Sequence, residues 1–210
     1  MWALFKIYVQ CELRYKVNIL SHSIVVLCSY FILQMGFDQL AQSNQSLHAM
    51  LWFIILYLMV FVGLSISDRY RKNAFEKGLI LFTSHRHQIF IVKIIIHLLL
   101  LMVPIVLLFS LLALQGICFS TQTYWVYVMG IVLLSVMSQI LTGLLAQLPN
   151  KTMALPLLFF PCSAPVSLFL FSVVIKSTST SINQELFTCF GMILIALSIG
   201  YMTSEISLEE

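Results

Sequence analysis

The sequence predicts an all-α membrane protein, and three observations carry that expectation. Of 210 residues, 60% are hydrophobic and 9% are charged, whereas soluble domains carry about 25% charged residues. The apolar residues fall into stretches of about 20, the length a helix needs to cross a ~30 Å hydrocarbon core at ~1.5 Å per residue. The basic residues also fall almost entirely on one side of the membrane once those stretches are threaded through it.

Six stretches qualify as spans: Ile19–Phe37, Leu47–Ile66, Ile89–Leu114, Tyr124–Gln147, Met153–Ile175 and Leu186–Thr203. The last is short, and the third opens on ionisable residues. Ahead of them, residues 1–17 read as an amphipathic helix in the membrane interface. Trp2, Phe5, Val9 and Leu13 recur at helical spacing, beside a polar stripe of Lys6, Gln10 and Arg14. No short apolar core followed by a small-residue cleavage site marks a signal peptide, so the first segments are expected to remain.

With the N-terminus inside, ten of the eleven basic residues lie on the cytoplasmic side and only Lys176 lies outside. The expected topology is therefore N-in/C-in in a bacterial inner membrane, with residues 1–210 as a single transmembrane domain. The outer loops are short, and no extramembrane segment is large enough to hold a nucleotide. No Walker-type, HExxH or GxSxG motif and no paired intramembrane carboxylates occur, which sets the expectation of a non-enzymatic subunit with no cofactor or metal of its own. The five cysteines form no CxxC pair and read as small buried hydrophobes.

One inner loop differs from the rest. Ser67–Gln88 is the longest polar segment and carries five of the basic residues. Tyr70, Phe75 and Leu79 suggest an apolar face, with Glu76 and Lys77 opposite, as in a short helix lying on the cytoplasmic surface. A soluble motor could dock there. A basic loop touching anionic lipid is the plainer alternative.

Lys93 and His97 follow, one turn apart at the start of the third span. Lys93 is placed to snorkel to the head groups. For His97 the residue type leaves three roles open: a packed hydrogen-bonded side chain, a partner for another span, or a haem ligand. In the fifth span, Pro156, Pro161 and Pro165 fall within ten residues and are expected to break it into pieces.

The order of these features resembles the haem exporter protein B family (CcmB), the membrane subunit of the cytochrome c maturation ABC complex. The stretches that carry the resemblance are CELR at 11–14, Phe75–Glu76 in the basic loop, the run IVKIIIH with Lys93 and His97, Pro104, and LLFFPCSAPVSLFLF with Pro161 and Pro165. Where that family's loop typically reads Asp-Gly-x-Leu-Glu, this chain has Lys72, Asn73, Ala74, Phe75 and Glu76.

The resemblance implies an ABC-2 type exporter fold with a coupling helix within 67–88. It implies an ATPase partner resembling CcmA, which would bind the ATP, a haem-handling membrane protein resembling CcmC and a small single-span subunit resembling CcmD. A periplasmic haem chaperone resembling CcmE would receive the haem. ATP hydrolysis would then drive haem export or release of the loaded chaperone. An ABC-2 permease for a drug, lipid or polysaccharide shares this layout, and a six-span scaffold without a motor is the alternative from another class. No feature suggests nucleic-acid binding.

Overall fold

The computed structural model describes residues 5–6, 9–10, 21, 23–25, 27–31, 44–72, 86–117, 119–145, 151–177 and 183–206. Their regular structure is entirely helical. Five helices are described over their length: α1 (Asn44–Lys72), α2 (Arg86–Leu114), α3 (Thr121–Leu144), α4 (Lys151–Ser177) and α5 (Asn183–Ile206).

Four of these contain stretches long and apolar enough to cross a membrane: Gln88–Leu114, Thr121–Leu144, Ala154–Lys176 and Gln184–Thr203. α1 has a shorter apolar run, Leu47–Gly63. Of the expected first span only parts between 21 and 31 are described, and these are helical.

The burial pattern is that of a multi-pass membrane protein. Leu157, Leu168, Phe187, Ile195 and Met202 face outward, whereas His48, His97, Ser135, Ser138 and Gln139 are buried. In water that exchange would be costly, because buried polar groups must be satisfied and apolar surface is driven inward. Against lipid tails the outward apolar side chains cost nothing, and association rests on close packing and polar contacts between helices.

α3 is the central helix. It packs against all four others, most extensively against α5 and α4, and more of its span is buried than that of any other. Its core-facing side includes Val126, Tyr127, Ile131, Leu134 and Ser138. Gly130 shows how close the approach is: a Cβ there would strike the Trp52 ring of α1 and come within 2.9 Å of Leu170 Cδ1 of α4.

The α2–α3 connection is short, and its described residues close one helix and open the next. Gly116 adopts φ +79°, the left-handed conformation that glycine takes without strain. Its N–H donates to the Ala113 carbonyl at 3.0 Å, and the Ile117 N–H donates to the Leu112 carbonyl at 3.0 Å, a Schellman closure of α2. Ser120 then caps α3, its Oγ accepting from the Thr123 N–H at 3.2 Å.

Two expectations change, and the two ends of a third segment can be placed. α4 runs unbroken from Lys151 to Ser177 despite its three prolines. Each proline removes one backbone donor, but the remaining hydrogen bonds carry the helix through, as membrane helices often allow. The polar segment 67–88 is in part helical, since α1 continues to Lys72 and α2 starts at Arg86. Cys28 and Cys162 are exposed on helices, and of the described cysteines only Cys189 is buried, because the outer face of a membrane helix suits a small apolar group equally well.

At the N-terminus, the four described residues are helical. Phe5 and Val9 pack against the main core, while Lys6 and Gln10 are exposed.

Candidate functional site

Two polar sites lie inside the helix bundle, one deep in the span and one near its end. The deep site centres on His97 of α2, which is 0% exposed. It stands nine residues into the span Gln88–Leu114, about 14 Å along the axis. α3 brings Ser135, Ser138 and Gln139 to the same level, at the spacing that puts them on one helical face.

Gln139 Nε2 lies 3.0 Å from His97 Nδ1. An amide N–H donates, so in this arrangement Nδ1 is the acceptor. Ser135 Oγ stands 3.4 Å from the same Nδ1 and 3.8 Å from Met59 Sδ of α1. One hydroxyl proton serves either acceptor, so Ser135 links α2 to α1 through α3.

Gly63 of α1 makes this convergence possible. A Cβ at that position would lie 2.7 Å from Ser138 Oγ and 4.0 Å from His97 Cε1. The Ser138 hydroxyl is wholly buried and has no hydrogen-bond partner among the described residues. Leu155 of α4 closes the same region.

These groups donate and accept hydrogen bonds in a low-dielectric interior. Such a joint specifies one register of α1, α2 and α3, because sliding any helix would leave buried polar atoms unsatisfied.

The second site joins the start of α1, the end of α2 and the start of α3. His48 Nδ1 and the Tyr127 hydroxyl share a 2.9 Å hydrogen bond. Trp52 stacks on Tyr127 with ring centroids 5.0 Å apart, and Phe119 lies 5.1 Å from His48. Phe109 meets Tyr127 edge-on at 5.4 Å. Tyr30 ties the first helical segment to this end by donating to Gln115 Oε1. Aromatic clusters of this kind are rigid and pack strongly.

The residues singled out from the sequence are scattered among these places. His97 forms the deep joint. Lys93, one turn away, is only partly buried. Pro161 and Pro165 sit on the outward face of α4 and do not reach the joint. Tyr70 belongs to the last turns of α1, but its side chain, like Phe75, Glu76 and Leu79 entirely, lies outside the described residues. Among the described residues no three His, Cys, Asp or Glu side chains gather in a way that would hold a metal ion.

Sequence reasoning missed Gln139 and Ser135, the partners of His97. The available signal was their spacing: Ser135, Ser138 and Gln139 form a polar stripe on an otherwise apolar span. A scan against family models and a search of curated proteins each find no match to this chain.

Proposed function

We propose that this chain is the non-catalytic membrane subunit of an ABC-type complex for cytochrome c maturation, transmitting the work of a separate ATPase across the membrane. Six spans with both ends in the cytoplasm, in a bacterial inner membrane and in an ABC-2 type arrangement, complete the proposal. The ATPase would dock on the segment 67–88 through Phe75, Glu76 and Leu79, with Tyr70 at its edge. Haem would be handled by the complex, in export or in release of a loaded periplasmic chaperone.

The observation that carries this reading is the joint around His97. A subunit that moves between states benefits from a polar contact that makes or breaks as a unit, placed where the helices next to the docking segment cross. α1 and α2 are those helices, since they flank the segment 73–85, and both enter the joint. The order of motifs resembling the haem exporter B family supports the same reading.

The test is a paired substitution. With Phe75→Ala and Glu76→Ala together, the ATPase should no longer co-purify with the membrane subunit, or its hydrolysis should uncouple. Retained binding with coupled hydrolysis removes this docking site from the account.

A further inference from the structure

We draw no further inference here: the strongest candidate, the exposed apolar face of α4 from Leu157 to Leu168, carries none, because nothing in the structure shows whether lipid, a second copy or another protein covers it.

Discussion

Replacing His97 and Gln139 with leucine, singly and together, tests whether the deep joint acts as a pair. His97→Leu leaves the Gln139 amide buried without the acceptor that now stands 3.0 Å from it. Leaving a buried polar group unsatisfied costs about 1–3 kcal/mol. Gln139→Leu removes the 3.0 Å donor and keeps the longer 3.4 Å contact from Nδ1 to Ser135, so its cost should be similar, about 1–2 kcal/mol. The double variant has neither orphan and places leucines of comparable size in an apolar setting, which is close to neutral in favourable cases.

The sum of the single effects should therefore exceed the double effect by about 1 kcal/mol or more, in the upper range of couplings measured between membrane helices. The assay is reversible unfolding of the four proteins in bicelles, read as a double-mutant cycle. Additive effects, with a coupling within about 0.3 kcal/mol of zero, would refute the joint as a cooperative contact between α2 and α3.

Three further substitutions probe how the bundle is held together. Gly130→Ala drives a methyl group against the Trp52 ring and Leu170; it should destabilise by about 1–3 kcal/mol, and Trp52→Phe in the same chain should recover part of the loss in thermal unfolding. Tyr127→Phe removes the hydroxyl bonded to His48 and should cost about 1 kcal/mol by denaturant unfolding, with the aromatic packing around Trp52 retained in near-ultraviolet circular dichroism. Gly116→Ala forces a side chain into φ +79° and should cost about 1–2 kcal/mol; as a Cβ there meets no atom within 4 Å, the loss is conformational, and Gly116→Asn should lose less than Gly116→Ala in the same assay.

Much of the architecture was legible in the sequence because membrane helices announce themselves by length and composition. Ile89–Leu114 and Met153–Ile175 lie within helices only slightly longer than themselves, since the hydrocarbon core leaves a chain no other way to satisfy its backbone. The helix ends were less legible. α1 continues through Asp68, Arg69 and Tyr70 to Lys72, because a helix leaving the membrane loses its apolar solvent but not its backbone hydrogen bonds.

The prolines of α4 misled for a related reason. A missing donor identifies a local defect, and whether that defect breaks a helix depends on the surrounding turns. For the joint, His97 stood out as an ionisable residue in an apolar run, whereas Ser135 and Gln139 are unremarkable until three-dimensional packing sets them beside it. The closeness of Gly63 and Gly130 to their neighbours was hidden too, because a glycine in a membrane helix is common and only its crossing partner gives it meaning.

The central claim is that this chain serves cytochrome c maturation by coupling an ATPase to the membrane. Its most direct test is deletion of the gene followed by a haem stain of membrane proteins separated under denaturing conditions, which detects covalently attached haem. The account predicts that c-type cytochromes disappear, while the ATPase partner is still made, and that the native chain restores them but the Phe75→Ala, Glu76→Ala variant does not. A full complement of stained c-type cytochromes in the deletion strain would contradict it.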